Sequence, residues 1–141
     1  MYNGMCDFIS QSPEETQRFA QKWAKSLKAG IVVGLVGPLG SGKTLFVKAA
    51  AKALGVKEVV NSPTFVLASE YQGDMPIYHL DLYRVDELQE IDSVGYEEYF
   101  DRNGIVFIEW AEKVKDFLPS GTVWIEFKVL GETRRQIQIR R

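Results

Sequence analysis

The stretch "GPLGSGKT", residues 37–44, decides the fold, because it stands between an apolar run and an alanine-rich run. The run before it, "IVVGLV" (31–36), is β-branched and apolar, which is typical of a strand buried on both faces. The run after it, "TLFVKAAAKAL" (44–54), is typical of a helix that begins inside the loop. Strand, glycine-rich loop and helix in this order predict a phosphate-binding loop.

All eight residues of this loop are candidate nucleotide ligands. The spacing G-x-x-x-x-G-K-[ST] has Gly37, Gly42, Lys43 and Thr44 at its fixed positions. Glycines let successive backbone N–H groups turn toward an anion, and the positive end of the helix adds to this. We expect Lys43, on a solvent-facing loop, to neutralise the β and γ phosphates, and the Thr44 hydroxyl to bind Mg²⁺. The loop is completed by Pro38, Leu39, Gly40 and Ser41.

The length and charge of the chain limit the classes of protein it can belong to. Its 141 residues are enough to bury a core, and no repeat, low-complexity run or domain boundary is evident, so residues 1–141 are predicted to form one P-loop domain. Seventeen basic and nineteen acidic residues give a net charge of −2. This argues against a chain that holds nucleic acid by bulk electrostatics, although a local basic patch stays compatible with it.

The cysteine content and hydropathy indicate a cytoplasmic protein. The single cysteine, Cys6, cannot form an internal disulfide, which suits a reducing compartment or indifference to redox state. We interpret Cys6 as inert, because no histidine is near it in the sequence. No stretch approaches the ~20 apolar residues that span a bilayer, so we expect no membrane association.

The remaining patterns predict a mixed α/β sheet. Ser12, Pro13 and Glu15 form a helix start, and we expect that helix to run to about Ala29, with Gly30 ending it and with Phe19, Trp23 and Leu27 in the core. Three further groups of elements are predicted: a hairpin of strands 65–71 and 77–83, a buried strand 104–110, and a C-terminal hairpin from Thr122. The acidic stretch 86–100 is typical of two short helices with a turn at Gly95. The fold class is therefore P-loop NTPase-like, a mostly parallel sheet flanked by helices, with antiparallel hairpins.

A carboxylate at a strand end supplies the second half of the predicted site. Hydrolysis or transfer of a phosphoryl group needs a carboxylate beside the metal and a group that orients the attacking oxygen. The apolar residues 105–108 carry Glu109 to the C-terminal end of their strand, where ligands bind in open α/β sheets. We interpret Glu109 as the metal-side carboxylate, similar to a Walker B position. An ordinary strand-end charge is the alternative.

The stretch "YHLDLYR", residues 78–84, adds two polar candidates. Alternation along a strand places His79 and Asp81 on one face. We expect Asp81 to hold a metal-bound water or to position the attacking one. His79, the only histidine, is either catalytic or a hydrogen-bonded partner within a polar cluster.

Two further residues, Thr64 and Trp110, each have more than one interpretation. Thr64 follows Pro63, twenty residues past Thr44, where a segment that senses the γ-phosphate is common; a plain turn is equally compatible. Trp110 would point to the face opposite Glu109 if the strand continued, and would then pack beneath the site, line a partner surface or simply be buried.

Five motifs in series indicate a family. "GPLGSGKT", "NSPTF" (61–65), "HLDLYR" (79–84), "VGYEEYF" (94–100) and "IEWAEK" (108–113) occur in this order in one short chain. In this combination the chain resembles the TsaE (YjeE) family, bacterial ATPases required for the threonylcarbamoyladenosine modification of tRNA. The resemblance covers the chain from its N-terminal helix to at least Pro119. Departures are small: Ser41 replaces the usual Ala, and Leu45 a common second Thr.

The resemblance implies ligands, roles and partners. It implies ATP with Mg²⁺, with Thr44 and Glu109 as metal ligands and Asp81 in a catalytic or water-positioning role. The implied partners are TsaD, the transferase that modifies adenosine 37 of tRNAs reading ANN codons, and TsaB, which dimerises with TsaD. ATP hydrolysis would reset that complex between turnovers, so the chain would meet tRNA indirectly, through the complex. Direct contact with tRNA stays open, because "TRRQIQIRR" (133–141) is basic enough to permit it, with a solvated edge strand as the alternative.

Three other classes of protein share the phosphate loop. A small-molecule kinase usually has a lid carrying arginines, whereas here only Arg84 lies near a predicted site element. A GTPase switch would carry an N-K-x-D stretch, which the sequence lacks. A scaffold that binds ATP without hydrolysis stays open, because no arginine finger is evident in the chain. We therefore expect slow hydrolysis by the chain alone and stimulation by TsaB and TsaD.

Overall fold

Seven strands form one sheet in the computed structural model, which describes residues 5–60, 68–85, 96–100 and 103–140. The strands are Met5–Ser10 (β1), Val32–Val36 (β2), Ala68–Gln72 (β3), Pro76–Asp81 (β4), Ile105–Glu109 (β5), Val123–Val129 (β6) and Arg135–Arg140 (β7). The α-helices are Pro13–Ala24 (α1) and Lys43–Ala53 (α2), and 3₁₀ helices span Tyr96–Tyr99 and Ala111–Phe117. Within these ranges no helix has both the length and the hydropathy that a membrane span requires.

The strand order is β1-β7-β6-β2-β5-β4-β3. The four strands β6, β2, β5 and β4 are parallel to one another, whereas β3 and the pair β7 and β1 add antiparallel edges. This confirms the predicted mixed sheet with antiparallel hairpins. The register places Glu109 beside Leu35 of β2 on one side and beside Asp81 of β4 on the other. The carboxyl ends of β2, β4 and β5 therefore meet at one edge of the sheet.

Helices cover both faces of the sheet. α1 and α2 pack side by side against the larger apolar cluster, to which β5 contributes Ile105 and Phe107. The alternate residues of β5, Val106 and Ile108, belong to a second cluster beneath the two 3₁₀ helices. β5 is thus buried on both faces, as the apolar run 104–110 predicts.

Helix α1 begins as predicted and ends earlier than predicted. The Ser12 hydroxyl accepts a hydrogen bond from the Glu15 N–H at 3.2 Å, which caps the helix. The helix ends at Ala24 and not near Ala29. The cause is local, because the Ser26 hydroxyl donates to the Trp23 carbonyl at 2.7 Å and so competes with a further helical turn. The predicted core residues Phe19, Trp23 and Leu27 are nevertheless buried.

Strand β1 has no counterpart in the predicted elements. It pairs antiparallel with β7, and the side chains of Met5 and Ile9 are 70% and 41% exposed. Apolar residues on its outer face remove the polar–apolar alternation by which a half-buried strand is identified. The predicted strand start 65–67 and most of the acidic stretch, residues 86–95, lie outside the described residues.

Replacement of Phe46 by alanine should destabilise the fold strongly. Phe46 is completely buried in α2, and its ring centroid lies 5.6 Å from those of Trp23 and Phe127. We expect Phe46→Ala to lower the free energy of unfolding by about 3–5 kcal/mol, measured by urea denaturation. The control is Phe117→Ala, because Phe117 is 52% exposed. Equal losses in the two variants would contradict the assigned core.

Candidate functional site

The loop between β2 and α2 needs glycine at two positions for different reasons. Gly42 caps α2 at φ 108°, a conformation strained for residues with a side chain. A Cβ on Gly37 would lie 2.9 Å from the backbone oxygen of Phe127 in the neighbouring strand. The first helical hydrogen bond runs from the Phe46 N–H to the Gly42 carbonyl at 2.9 Å. The earlier N–H groups of α2 therefore have no partner within the helix, as an anion site at a helix start requires.

A cavity of about 480 Å³ lies against this loop. Its lining includes the predicted residues Asp81 and Glu109 together with loop residues 39–44. Gly37 and Pro38 do not line it; their carbonyl groups instead contact Lys43. The lining also includes residues that were not predicted, from the start of α1 and from the end of the chain: Pro13, Thr16, Glu132, Thr133 and Arg135. The site is thus built from more elements than the motifs indicate.

Lys43 is buried, and the prediction that it lies on a solvent-facing loop is wrong. Only 4% of the residue is exposed, because it is the first residue of α2 and folds back over the loop. Its ammonium donates to the Gly37 carbonyl and, at 3.0 Å, to the Pro38 carbonyl, and lies 4.2 Å from the centroid of the Trp110 ring. These contacts replace the water that an exposed ammonium would bind.

The pKa of the Lys43 ammonium is lowered from its ordinary value. Burial is the main cause, because removal from water disfavours the charged form. Three carboxylates oppose the shift by their charge: Glu109, Glu112 and Asp81. Lys43 is therefore a poorly hydrated cation, for which a phosphate group would be a strong ligand.

Glu109 is the centre of a buried hydrogen-bond network. The Thr44 hydroxyl donates to its two carboxylate oxygens, Oε1 at 2.8 Å and Oε2 at 3.0 Å. His79 Nε2 lies 2.6 Å from Glu109 Oε2, and both side chains are almost completely buried. Because an ionised carboxylate only accepts hydrogen bonds, Nε2 is the protonated nitrogen. Of the two alternatives for His79, this geometry favours a hydrogen-bonded partner of Glu109.

Asp81 lies on the same face of β4 as His79, as alternation predicts, since Tyr78 and Leu80 belong to the cluster on the other face. It is half-buried and lines the cavity. Its Oδ1 accepts a hydrogen bond from the Tyr83 N–H at 3.0 Å, which shapes the turn after β4. The carboxylates of Asp81 and Glu109 thus reach the cavity from adjacent positions of neighbouring strands.

Trp110 does not continue the strand, yet its indole packs against the second cluster, on the face opposite Glu109, as well as at the cavity. β5 ends at Glu109, and Trp110 has φ 60° and ψ 38°, the only positive φ outside glycine among the described residues. This left-handed backbone keeps the indole at the cavity, where it contacts Lys43 and lies 5.1 Å from the Tyr83 ring. The ring therefore forms part of the site.

The chemistry of these groups fits a magnesium ion and a phosphate. Thr44 and Glu109 supply hard oxygen donors, which Mg²⁺ prefers. Within the described ranges no three His, Cys, Asp or Glu side chains are arranged to hold a metal, and Mg²⁺ needs only one or two protein carboxylates because it keeps several waters. The Ser41 hydroxyl in the loop is buried and has no hydrogen-bond partner among the described residues. A bound phosphate would supply an acceptor for this hydroxyl.

Lys113 is a supporting residue that sequence patterns did not reveal. It lies in the 3₁₀ helix after β5, and its ammonium donates to the carbonyl groups of Leu82, Tyr83 and Val85 at 2.7–2.9 Å. All three ammonium hydrogens are therefore used to hold the turn after β4. The only signal in the sequence was its place in the "IEWAEK" motif.

The remaining predictions have different outcomes. Thr64 lies outside the described residues, so its switch role stays a prediction. Arg84 is exposed and does not line the cavity. The arginine at the cavity is Arg135, which donates to the Gly40 carbonyl at 3.2 Å and so ties β7 to the loop. Burial raises the pKa of the Cys6 thiol, which agrees with an unreactive cysteine.

Comparison with known proteins identifies similar chains. Residues 10–137 match the model of the family described as "Threonylcarbamoyl adenosine biosynthesis protein TsaE". Proteins named "tRNA threonylcarbamoyladenosine biosynthesis protein TsaE" include one from Bacillus subtilis that is 41% identical, over 89% of this chain and 79% of its own. Those from Treponema pallidum and Aquifex aeolicus are 39% and 40% identical and are covered over 97% and 96% of their lengths.

A solved structure has the same fold. The crystal structure of Bacillus subtilis YdiB superposes with a TM-score of 0.82 at 33% identity. The match covers 99% of this chain and 87% of that one. The similarity in sequence therefore extends to the arrangement of the whole sheet and its helices.

The Lys113 contacts predict a clear effect on stability. Lys113→Met keeps the length of the side chain but removes its hydrogen bonds to three carbonyl groups, of which, among the described residues, only that of Leu82 has a second donor, the Val85 N–H at 3.0 Å. We expect the free energy of unfolding to fall by about 1–3 kcal/mol, measured by urea denaturation. The matched control is Lys115→Met, because Lys115 is exposed in the same 3₁₀ helix and should change stability by no more than about 0.5 kcal/mol. Indistinguishable variants would show that the three hydrogen bonds contribute nothing.

Proposed function

The chain belongs to the TsaE family, and we propose that it acts in tRNA threonylcarbamoyladenosine biosynthesis as the component that binds and hydrolyses ATP. The family and the names of its members supply the pathway. The hydrolytic role is inferred from the chemistry of the site. A cytoplasmic location, expected from the sequence, stays a prediction.

The contact between Thr44 and Glu109 is the observation that carries this proposal. It joins the start of α2 to the end of β5, 65 positions apart in the chain. A hydroxyl and a carboxylate at this junction, beside a glycine-rich loop and a buried lysine, are what a site for ATP with Mg²⁺ requires. The buried, unpartnered Ser41 hydroxyl supports a phosphate ligand in the loop.

Each residue has a proposed part in the reaction. Thr44 and Glu109 would hold Mg²⁺, which supplies charge neutralisation on the phosphates when it is bound. Lys43 would exchange its loop carbonyl contacts for phosphate oxygens, and Trp110 limits the access of water to that ammonium. Asp81, in the lining of the cavity, would orient the attacking water. His79 holds the Glu109 carboxylate in place.

We further propose that the partners are TsaD and TsaB and that they accelerate hydrolysis. Arg84, the arginine considered first for the transition state, is exposed and does not line the cavity. Arg135 lines the cavity but is held by backbone carbonyls, three of them in the β6–β7 connection. A partner would therefore supply an arginine or release Arg135 from these contacts.

ATP hydrolysis should be slow for the chain alone and faster with TsaB and TsaD. An arginine provided or released at the transition state is worth ~10³–10⁵ in rate, so we expect stimulation by a factor approaching this range. The measurement is the Mg²⁺-dependent release of phosphate, with Lys43→Met as the control that should abolish it in both conditions. A rate that the partners leave unchanged would contradict the proposed coupling.

Loss of the His79 imidazole should change the magnesium requirement. Removal of a partner that orients a metal ligand typically costs about 10–100-fold in metal affinity or activity. We expect His79→Ala to raise the Mg²⁺ concentration for half-maximal hydrolysis by that factor, with a smaller change at saturating Mg²⁺. His79→Gln, whose amide can donate to Glu109, should restore part of the loss. An unchanged magnesium requirement with a reduced maximal rate would instead make His79 a catalytic group.

A further inference from the structure

Charge is distributed very unevenly along the chain. Residues 13–57 contain eight Lys and Arg residues but only two Glu. Residues 81–116 contain four Lys and Arg residues and eleven Asp and Glu. The two segments carry charges of +6 and −7, which nearly cancel within the net charge of −2. Such asymmetry within one domain indicates a charged partner.

The fold places the positive segment on one face of the sheet. This segment contains α1 and α2, which cover that face. Residues 86–95 and 101–102 of the negative segment lie outside the described residues, and the 3₁₀ helix Ala111–Phe117 on the other face contains two acidic and two basic residues. Of the eight positive residues only Lys43 is buried. The other seven are exposed and form what we call the basic face: Arg18, Lys22, Lys25, Lys28, Lys48, Lys52 and Lys57.

The basic face has one glutamate beside each of its two groups: Glu15 lines a cavity with Arg18 and Lys22, and Glu58 lies beside Lys57. Lys48 and Lys52 are one helical turn apart, about 6 Å along α2, and α1 packs beside it at a typical distance of about 8–10 Å. Within the described part of the chain none of the seven forms a salt bridge. A second cavity, of about 520 Å³, has three lysines and one glutamate in its lining: Lys48, Lys52, Lys57 and Glu58. The surface thus offers rows of free ammonium groups to a ligand with repeated negative charges.

We propose that the basic face binds the phosphate backbone of RNA directly. The proposal rests on the proposed function, because that function places the chain in machinery whose substrate is tRNA. It adds a direct contact to the indirect one expected through the partners. Lysines contact phosphates without reading base sequence, so the face positions the RNA and does not select it.

The composition of the face favours RNA over an acidic protein. Protein interfaces are enriched in aromatic residues, methionine and arginine and are depleted in lysine. Six of the seven charged residues are lysines, and α1 and α2 expose no large hydrophobic side chain. Val59, 77% exposed beside the second cavity, is a single apolar exception.

The test measures binding of an unmodified tRNA transcript to the full chain, without ATP, by fluorescence anisotropy at 50–200 mM KCl. We expect a dissociation constant of ~10⁻⁶–10⁻⁴ M that increases with the salt concentration. An unrelated RNA of the same length should bind with equal affinity. Lys48→Gln/Lys52→Gln should weaken binding and reduce the slope of log affinity against log salt by about one for each lost phosphate contact.

The matched control is Lys115→Gln/Lys128→Gln. Both residues are exposed and lie outside α1 and α2, and their replacement removes the same charge as the α2 variant does. This variant should bind as the unmodified chain does. Equal loss in the two variants, or no binding at 50 mM KCl, would overturn the proposal. Loss of TsaB and TsaD association in the α2 variant with unchanged RNA binding would also overturn it and assign the face to an acidic protein.

The experiment separates this proposal from the proposed function. RNA binding is measured without nucleotide, and ATP hydrolysis of the same variants is measured separately. Lys43→Met, which should abolish hydrolysis, should bind RNA normally, because Lys43 is buried and is not part of the basic face. A chain that binds RNA but never hydrolyses ATP would support this inference alone.

Discussion

The parallel pairing of β5 with β2 is the constraint on which the site depends. Glu109 lies beside Leu35, one residue before the end of β2, so its carboxylate reaches the edge of the sheet where the phosphate loop begins. At the other end of the loop, the Thr44 hydroxyl donates a hydrogen bond to this carboxylate. The two strands have little freedom to shift, because a Cβ on Gly34 would lie 3.0 Å from Ala111 and from the Trp124 ring. Close packing beneath the loop thus sets the distance between the groups that act together.

The charged side chains of the site are buried away from water, and their hydrogen bonds and a contact with an aromatic ring make this possible. A buried charge without partners is costly, yet Glu109 has two side-chain donors and Lys43 has two carbonyl acceptors and an aromatic ring. The left-handed backbone of Trp110, of a kind that costs about 1–3 kcal/mol, persists because it directs the indole onto Lys43. Strain and dehydration are therefore concentrated where a nucleotide would bring compensating contacts.

The sheet also gives the molecule one basic side. The helices α1 and α2 belong to the positive segment and cover one face of the sheet. The cavity includes residues from the start of α1 in its lining. A polyanion on the helix side would thus lie near the nucleotide. Net charge is a poor guide to such partners, because positive and negative segments of one chain cancel in the sum.

The sequence by itself determined the elements that depend on neighbouring residues. The phosphate loop, the cap of α1 by Ser12, the strand that ends in Glu109 and both hairpins follow from local spacing and alternation, which act within a few residues. Only the tertiary structure decided which distant groups meet. The burial of Lys43, the direction of Trp110 and the contacts of Lys113 and of β1 depend on strand order and on side-chain packing between elements. Those contacts join residues tens of positions apart, and no period or motif along the chain encodes such distances.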